Sequence, residues 1–423
     1  MHSFLQDLRF GARMLRKNPG FALAAIFTLA LGIGGNTAIF TITSSVLLKA
    51  LPYPDPQQLI SLDVQGKDGQ SHCCSLNRFD SVHDHSQSFS AVAAVTSDNF
   101  NLTGRGEPLQ VASARVSGEF FSLLGVKPQA GRFFLPEEAQ AAGKPVIVIS
   151  DTFWHNRFGG DKAIIGQTVA LDGTPYEIVG VLPAGIQFPF LAPADIWSPR
   201  YFEHSLFTPQ RLRMGVGYLT IVARLKPGIT RERASAELAV LDKEFQKDNP
   251  GAPDAKPGFT MVVTNLQDSV VANIRSMLLI LSGAVGVVLL IACANVASLL
   301  LSRALSRRKE IAVRAALGAQ RSVLVRQLLT ESVLLALLGG ALGLGLSWAA
   351  TKYLATLGNG NLPQGMPITT DARVLLFMVA ISVLTGILFG ICSVLLACYQ
   401  LNKNTTLQMA GELQERRRKL ATA

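Results

Sequence analysis

Four long apolar runs lie along the chain, and a large polar block separates the first run from the second. The runs contain no charged residue over 21–48, 276–302, 332–351 and 374–402. A helix needs about 20 apolar residues to cross a bilayer. Core helices of soluble proteins rarely extend that far without a charge on any face. The pattern therefore predicts a membrane protein with four transmembrane α-helices.

The flanks of these runs predict their orientation. Basic residues cluster before the first run, between the second and third, and after the fourth, whereas the only cations between the third and fourth are Lys352 and Arg373. Basic flanks stay in the cytoplasm, and large domains translocate largely regardless of charge. We therefore expect both termini in the cytoplasm and the polar block outside. The expected segments are a cytoplasmic interfacial helix (1–20), transmembrane helix 1 (21–48), an extracytoplasmic domain (49–274), transmembrane helix 2 (276–302), a cytoplasmic link (303–331), transmembrane helix 3 (332–351), a short outer loop (352–373), transmembrane helix 4 (374–402) and a cytoplasmic tail (403–423).

Strand-like and helix-like segments alternate through the polar block, which predicts a large α/β extracytoplasmic domain between transmembrane helices 1 and 2. Asp172-Gly173 is a hairpin signal, although Thr174-Pro175 should lengthen the loop. A helix is predicted over 230–247, capped by Thr230, and residues 268–275 should continue as helix into the second run. The expected strands are Leu59–Val64, Val146–Ser150, Thr168–Leu171, Tyr176–Val181, Leu219–Leu225 and Phe259–Val263, and the expected short helices are Gly118–Leu124 and Asp151–Phe158.

Composition and charge exclude other classes of protein. Charged residues make up 16% of the chain, against about 25% in soluble domains. The formal net charge is +10, but residues 51–273 hold 19 basic and 23 acidic residues, a net charge of −4. A nucleic-acid binder would carry a basic stripe on its folded domain. Because the excess positive charge instead flanks the apolar runs, we expect a membrane protein that binds no nucleic acid.

Signals for catalysis are weak. The sequence has no P-loop, HExxH or GxSxG motif, and no ionisable residue lies inside the four runs, which argues against an enzyme and against an ion-coupled transporter. The segments 72–74 and 83–85 offer cysteine and histidine ligands. Adjacent cysteines rarely share one tetrahedral ion, however, and histidines two residues apart come together only on a strand. We interpret 80–88 as a polar connector and expect no catalytic residue, no metal and no cofactor.

Small residues recur in the apolar runs at spacings that permit close helix contact. Gly339 and Gly343 in the third run, and Gly386 and Gly390 in the fourth, are each four residues apart. The contact would lie within one bundle or between two halves of a dimer, and the spacing favours neither. These four glycines are candidate helix-packing residues.

The cytoplasmic link holds the other candidate site. Residues 307–331 are typical of a helix that ends near Leu317, a stop at Gly318, and a second helix that runs into the third apolar run. A charged helical turn there suits docking to another protein. Composition by itself favours a solvated loop that only follows the positive-inside pattern.

Several stretches of the sequence together carry a family resemblance. They are LGIGGNTAIF with LPYPDP after it, SGEFFSLLGVKPQAGRFF, VIVISDTFWHNRFGGDKAIIGQTVALDGTPYEIVGVLP, and LLIACANVASLLLSRALSRRKEIAVRAALGAQRSVLVRQLLTESVLLALLGG. They resemble the MacB-like/FtsX-like family of ABC transporter permeases over nearly the whole chain. Macrolide exporters of that family carry a fused ATPase, and its duplicated permeases contain two such halves. We therefore expect a stand-alone half-permease or one half of a larger one.

The resemblance implies partners and a coupling site. Members of the family have four spans and one large periplasmic core domain, and they work as dimers with ABC ATPases on the inside. The link between the second and third spans contacts the ATPase in that family, which implies the same role here. The expected ATPase-coupling residues are Arg307, Arg308, Glu310, Ile311, Arg314, Leu317 and Gly318.

The expected function is that of a permease subunit of an ABC transporter in the cell inner membrane. It would transmit ATP-driven conformational change from a separate cytoplasmic ATPase to its periplasmic domain, for efflux or envelope export. The alternative is an FtsX-type membrane regulator that controls an envelope partner and transports no substrate. The expected partners are the ATPase, a second copy or a related permease, the lipid bilayer and a periplasmic protein. The sequence names neither the substrate nor the ATPase.

Overall fold

The computed structural model describes residues 19–44, 50–67, 69–104, 107–186, 188–306, 321–357, 372–388 and 390–391. They fall into two compact units, which are described separately. The sheet unit comprises the described residues from 50 to 273. The helical unit comprises 19–44 and the described residues from 274 onward.

The first helix, α1, belongs to the helical unit and spans Pro19–Thr43. Two of its buried hydroxyls bond within the helix, because the Thr37 hydroxyl donates to the Ile33 carbonyl at 2.8 Å and the Thr41 hydroxyl donates to the Thr37 carbonyl at 2.7 Å. Hydroxyls bonded in this way are tolerated in an apolar environment. The helix is therefore suited to a membrane in spite of its threonines.

One hydrogen-bonded network of eleven strands forms the described part of the sheet unit. The spatial order is β11-β1-β10-β3-β4-β9-β6-β8-β5, with β2 beside β1 and β7 beside β3 and β8. The strands are β1 (Leu59–Gln65), β2 (Ser71–His72), β3 (Phe89–Thr103), β4 (Leu109–Val116), β5 (Ala130–Gly131), β6 (Val146–Ile149), β7 (Thr168–Leu171), β8 (Thr174–Val181), β9 (Ile196–Ser198), β10 (Thr220–Leu225) and β11 (Thr260–Asn265). All six strands expected from the sequence are present, within two residues at each end.

The long strand β3 joins the two halves of this network. Its first half pairs antiparallel with β10, its second half pairs with β4, and Leu102 and Thr103 at its end also pair with β7. Residues 92–96 are all buried. This part of β3 is buried on both faces and shows no alternation of polar and apolar positions. Neither β3 nor its partner β4 was predicted from the sequence.

Four of the described helices of the sheet unit begin at side-chain caps. Ser75, Ser150, Thr208 and Thr230 each accept a hydrogen bond from the backbone N–H three residues on, the arrangement of an N-cap. The predicted cap at Thr230 is thus confirmed. The helices are α2 (Leu76–His85), α3 (Phe120–Leu123), α4 (Asp151–Phe158), α5 (Pro209–Arg213) and α6 (Arg231–Asp248).

Two local predictions were wrong. Residues 80–85 belong to α2 and are not a connector, because the Ser75 cap starts a helix that buries Phe79 and Val82. The turn between β7 and β8 has only two residues, Asp172 at φ 49° and Gly173 at φ 78°, since Thr174 already pairs with Leu171. In a hairpin with a two-residue turn, the residue pair next to the turn is hydrogen-bonded and the following pair is not. Pro175 belongs to the following pair, opposite Ala170, so its missing N–H breaks no hydrogen bond to β7.

Three large apolar clusters lie in the described part of the sheet unit. One packs the aromatic rings of Phe120, Phe121 and Trp197 against the centre of the sheet. The second lies under α2 and α6, and the third lies between α4 and the β6–β8 half. Because all three contain residues of the strand network, the sheet is covered along most of its length.

Three more helices complete the described part of the helical unit: α7 (Leu266–Ser306), α8 (Arg321–Leu357) and α9 (Ala372–Leu388). The first begins in the sheet unit and continues without interruption, as predicted for residues 268–275. Segments long and apolar enough to cross a membrane are Pro19–Thr43, Ile274–Leu299 and Leu329–Ala350, whereas α9 is shorter within the described residues. Three such helices are therefore present, and a fourth span stays a prediction.

Helix α8 is longer than the predicted third span. Its apolar segment begins at Leu329, so Glu331 lies inside the segment, and the residue is only 6% exposed. The expectation that no ionisable residue lies inside an apolar span was therefore wrong at this end. The sequence prediction ended each apolar run at the nearest charged residue. In the structure the helix continues past that residue, because packing against neighbouring helices lets one carboxyl group enter the bundle.

Candidate functional site

The predicted coupling residues lie outside the described part of the chain. Helix α7 ends at Ser306 and α8 begins at Arg321. All seven of these residues lie between the two helices: Arg307, Arg308, Glu310, Ile311, Arg314, Leu317 and Gly318. The expected second helix that continues into the third apolar run is present as α8.

Two of the candidate glycines lie where α1 and α8 approach each other most closely. A Cβ atom built on Gly343 would lie 2.9 Å from the Ala30 carbonyl oxygen and 2.9 Å from the Gly34 nitrogen. A Cβ atom on Gly339 would lie 2.7 Å from the Cβ atom of Leu29. Because backbone atoms face each other here without side chains between them, we call the packing of Gly34, Gly339 and Gly343 the glycine contact.

The other two candidate glycines lie between α8 and α9. A Cβ atom on Gly386 would lie 2.7 Å from the Val333 Cα atom, and one on Gly390 would lie 3.1 Å from the Leu329 Cα atom. All four predicted glycines thus contact a neighbouring helix of the same chain. Small residues at such positions allow the close backbone approach on which helix packing in membranes depends.

A polar contact connects α1 with α7. The Asn36 side-chain amide donates to the Gly32 carbonyl of its own helix at 2.9 Å and to the Val285 carbonyl of α7 at 2.8 Å. Nearby, a Cβ atom on Gly32 would lie 3.1 Å from the Ala292 Cβ atom. A side-chain amide that bridges two helices adds a directional bond where apolar packing alone has none. The sequence analysis did not single out Asn36, although a lone amide inside an apolar run is a visible signal.

The order of these contacts shows the relative directions of the helices. Residues 29 and 34 of α1 meet residues 339 and 343 of α8 in ascending order, so the two helices run in the same direction. Residues 32 and 36 of α1 meet 292 and 285 of α7 in descending order. Residues 333 and 329 of α8 meet 386 and 390 of α9, also in opposite order. Consecutive helices of the unit therefore alternate in direction.

Aromatic and basic side chains lie at the carboxyl end of α8. The Lys352 ammonium group is 5.3 Å from the centre of the Trp348 ring, and Trp348 and Tyr353 are 59% and 65% exposed. Trp348 lies among the last residues of the apolar segment Leu329–Ala350, and Lys352 and Tyr353 lie just beyond it. Amphipathic rings and snorkelling lysines are enriched where a helix leaves the hydrocarbon of a membrane.

A buried ionic network holds α2 against α6 in the sheet unit. The guanidinium of Arg78, which is 1% exposed, donates to carboxylate oxygens of Asp242 and Asp254, and the Asp254 contact measures 3.2 Å from Nε. The same guanidinium lies 4.4 Å above the centre of the Phe245 ring. One cation thus connects two helices and the turn at residue 254. Such a group stabilises the fold only while its partners are present.

A second network fastens the segment 200–206, which we call the strap, to the sheet. Arg115 on β4 donates to Asp98 at 2.5 Å and to Glu203 of the strap at 2.9 Å. Asp98 also accepts from the backbone N–H of Ser205 at 3.1 Å and from its hydroxyl. Arg200 closes the network at Glu203, with 2.8 Å between Nε and the carboxylate.

The charges in this network shift the pKa of its acids. Burial raises the pKa of the Asp98 carboxyl, but hydrogen bonds from Ser205 and Arg115 outweigh it and hold the pKa below its ordinary value. Burial also raises the pKa of the Glu203 carboxyl, but the neighbouring guanidinium of Arg200 outweighs it, so the pKa lies below its ordinary value. Both carboxyl groups are therefore charged and paired near neutral pH, and the strap is held by ion pairs rather than by apolar packing alone.

The residues considered as metal ligands do not converge. His83 and His85 lie on α2, and their ring nitrogens contact Asp84 at 2.9 Å and the Ser81 carbonyl at 3.0 Å respectively. Cys73 is exposed and Cys74 is buried, and both are free thiols. Burial raises the pKa of both thiols. Among the described residues, no three histidine, cysteine or acidic side chains are grouped so that they could hold a metal ion.

An acidic cleft separates α2 from α6. Asp80 and Asp84 of α2 face Glu244 and Asp248 of α6 across it. Burial, with a smaller effect of the Asp84 charge, raises the pKa of Asp80 to about 6. The cleft therefore takes up a proton slightly below neutral pH.

Two family models match the chain, one after the other along the sequence. Residues 22–241 match the family model of the MacB-like periplasmic core domain, and residues 282–404 match that of the FtsX-like permease C-terminal segment. The first match alone covers more than half of the chain. Together the two matches include α1, most of the sheet unit and the described parts of α8 and α9.

Curated relatives include macrolide export ATP-binding/permease proteins. The chain is 28% identical over 290 residues to MacB of Shewanella oneidensis, a match that covers 66% of this chain and 41% of that protein. It is also 28% identical over 305 residues to MacB of Escherichia coli K12, covering 71% of this chain and 44% of that protein. The chain thus spans less than half the length of these relatives.

Two solved structures align with about half of the chain. The periplasmic region of MacB from Actinobacillus actinomycetemcomitans aligns with a TM-score of 0.38 and 12% identity, covering 51% of this chain and 94% of that structure. The extracellular domain of the ABC-type transporter YknZ from Gram-positive bacteria aligns with a TM-score of 0.36 and 14% identity, covering 48% and 99%.

Proposed function

The chain belongs to the family of ABC transporter permeases that combine a MacB-like periplasmic core domain with an FtsX-like permease segment, and from this membership we propose that it is a mechanical transmitter. In this proposal a separate cytoplasmic ATPase drives a conformational change that the helical unit passes to the sheet unit. The observation that carries the proposal is the order of the two family matches, 22–241 and then 282–404, on one chain with membrane-capable helices.

The proposed topology has four spans in the inner membrane, with both termini and the link 303–331 in the cytoplasm. The alternating directions of α1, α7, α8 and α9 support it, because successive spans of a multi-pass protein cross in opposite directions. The basic flanks support the inside assignment. The sheet unit would then lie outside the membrane, where its net negative charge does not oppose translocation.

Stiff connections support a mechanical role. In the glycine contact the backbones of α1 and α8 touch directly, so one helix cannot shift without moving the other. Helix α7 is continuous from Leu266 to Ser306, and a helix is a stiffer link than an irregular segment. Within the sheet unit, the buried ion pairs of Arg78 and Arg115 join separate elements. A displacement would therefore be transmitted rather than absorbed.

The proposed coupling surface is the segment from Arg307 to Gly318. Exposed ion pairs contribute only about 0–1 kcal/mol each, so docking to the ATPase must also use apolar contacts, for which Ile311 and Leu317 are the candidates. Replacing Ile311 by Asp would place a carboxylate in a desolvated contact. This change should release the ATPase, whereas Arg314→Ala should weaken its binding only slightly.

The test is co-purification of the ATPase with the full chain from membranes, with Ile311→Leu as the matched control and the membrane level of each variant measured in parallel. If Ile311→Asp retains the ATPase at the wild-type level, the coupling surface lies elsewhere. Transport is tested separately by ATP hydrolysis in reconstituted vesicles, with a macrolide first because the relatives are named for macrolide export. ATPase binding without stimulation by any substrate would favour the regulatory alternative.

A further inference from the structure

Helix α7 carries a line of exposed residues with the spacing of a coiled coil. The helix contacts α1 through Val285, Leu289 and Ala292. A second line of residues lies one position earlier in the sequence, which is about 100° around the helix. All of its members are exposed, and successive members are alternately four and three residues apart: Met277, Leu281, Ala284, Val288, Ile291 and Asn295. We call these six residues the heptad stripe, because this seven-residue repeat is the pattern by which two helices pack along their length.

One member of the heptad stripe is poorly suited to contact with lipid. Asn295 lies seven residues, about 10 Å along the helix, before the end of the charge-free run 276–302, and its short side chain cannot reach the headgroups. The residue is exposed, and within the described residues its amide makes no hydrogen bond. A polar group without a partner is costly in hydrocarbon. Asn36 of α1 avoids this cost by donating to the Val285 carbonyl, whereas Asn295 faces outward from the helical unit.

The chemistry of an amide and the direction of α7 indicate which partner covers this stripe. An asparagine side chain both donates and accepts, so two asparagines can satisfy each other. In the proposed topology, on which this argument rests, every copy of α7 crosses the membrane in the same direction. A two-fold axis along the membrane normal would therefore bring Asn295 of two copies together at the same depth. A related helix without an amide at this depth would leave Asn295 unsatisfied.

We propose that the heptad stripe pairs α7 with α7 of a second copy of this chain, and that the two Asn295 side chains hydrogen-bond each other. The five apolar members supply the packing, with crossing angles like those of soluble coiled coils. The amide pair fixes the register, as a single buried asparagine does in parallel coiled coils. One face of α7 thus binds α1 of its own chain and the adjacent face binds the second copy.

The first experiment is disulfide cross-linking of the full chain in its membranes, after its own cysteines have been replaced by alanine. Ile291→Cys lies on the heptad stripe, and Leu290→Cys is the matched control. The two residues are at nearly the same depth, are 56% and 65% exposed, and lie on opposite sides of the α1 contact. A disulfide forms only where two Cα atoms come within about 7 Å. Oxidation should therefore join two copies of the Ile291→Cys variant and leave the Leu290→Cys variant as single chains.

The second experiment measures dissociation of the pair in lipid vesicles by energy transfer between labelled chains. Asn295→Leu removes the amide and keeps a side chain that lipid tolerates, so it should weaken association about three- to twentyfold. Asn295→Gln keeps a donor and an acceptor and should weaken it less. Ser298→Ala is the control, because the Ser298 hydroxyl already donates to the Ala294 carbonyl of its own helix at 2.9 Å. Its loss should leave the dissociation constant unchanged.

Three results would overturn the pairing. They are cross-linking of Leu290→Cys as strong as that of Ile291→Cys, a product that joins the chain to a different protein, and association of Asn295→Leu equal to that of the wild type. A water-soluble maleimide tests the topology separately. Neither new cysteine should react with it, since both lie in hydrocarbon, and reaction at both would refute the proposed span. Protected thiols without a cross-link would refute the pairing alone.

Discussion

Replacing Gly343 by Ala should push α1 and α8 apart, while the same change two residues later should not. The new Cβ atom at position 343 would lie 2.9 Å from both the Ala30 oxygen and the Gly34 nitrogen, and ordinary contacts begin at 3.4 Å. The helices must therefore separate by roughly 0.5 Å, because backbone atoms cannot rotate out of the way. At Gly345 a Cβ atom meets nothing within 4 Å, which makes Gly345→Ala the matched control on the same helix.

The expected magnitude follows from two opposing effects. Alanine is favoured over glycine in a helix by about 1 kcal/mol, and this gain applies to both variants. Overpacking a close contact costs about 1–3 kcal/mol, and this cost applies only to Gly343→Ala. The difference between the two variants in free energy of unfolding should therefore be about 1–3 kcal/mol, with Gly345→Ala equal to the wild type or slightly more stable.

The assay is unfolding of the purified chain in mixtures of dodecyl maltoside and SDS, followed by helical circular dichroism. Gly34→Ala and Gly35→Ala form a second pair, because a Cβ atom at 34 would lie 2.9 Å from the Gly343 oxygen and one at 35 would meet nothing within 4 Å. Equal midpoints for Gly343→Ala and Gly345→Ala would refute the direct backbone contact. A difference in one pair without the other would place the close approach on a different part of the interface.

Three other expectations can be tested on the same protein. Arg78→Ala removes the cation that pairs with the buried carboxylates of Asp242 and Asp254, and it should cost about 3–5 kcal/mol in chemical unfolding of the sheet unit. Lys144→Ala, at an exposed ion pair with Glu177, should cost only about 0–1 kcal/mol. The folded-state pKa of Asp80 is raised from 3.8 to about 6. The free energy of unfolding should therefore fall as pH rises from about 4 to 6 and stay low above that. Asp80→Asn should flatten this pH profile, and an unchanged profile would contradict the raised pKa of Asp80. In a chain whose other tryptophans are replaced by Phe, lipids brominated near the headgroup should quench Trp348 fluorescence more than lipids brominated deep in the acyl chain. Stronger quenching by the deep lipids would show that the carboxyl end of α8 does not lie at the membrane interface.

Local patterns predicted much of the fold because the physics behind them is local. A charge-free run long enough to cross a bilayer becomes helix whatever surrounds it, since no other backbone partner exists in hydrocarbon. Thr230 caps α6 because an N-cap needs only its own next three residues. The expected strands of the polar block alternate or end at turn residues, and the structure contains each of them.

The errors occur where distant parts of the chain decide. Residues 92–96 of strand β3 escaped prediction because burial on both faces removes the alternation that marks a strand. The second half of helix α2 was interpreted as a connector because residues 80–85 are polar apart from Val82, which packs into the core. In the turn after β7, only the pairing of Thr174 with Leu171 shows that Pro175 lies inside the strand.

By itself the sequence determined that this is a permease-type chain in which apolar runs precede and follow a large α/β domain, because hydropathy, charge flanks and family motifs are properties of the linear chain. The tertiary structure alone decided which surfaces meet. A four-residue spacing permits close contact with any neighbouring helix, and the structure directs Gly343 to α1 and Gly386 to α8. The balanced charges around Asp98 have no signature in the sequence, since they depend on what the strap and two neighbouring strands bring to one place.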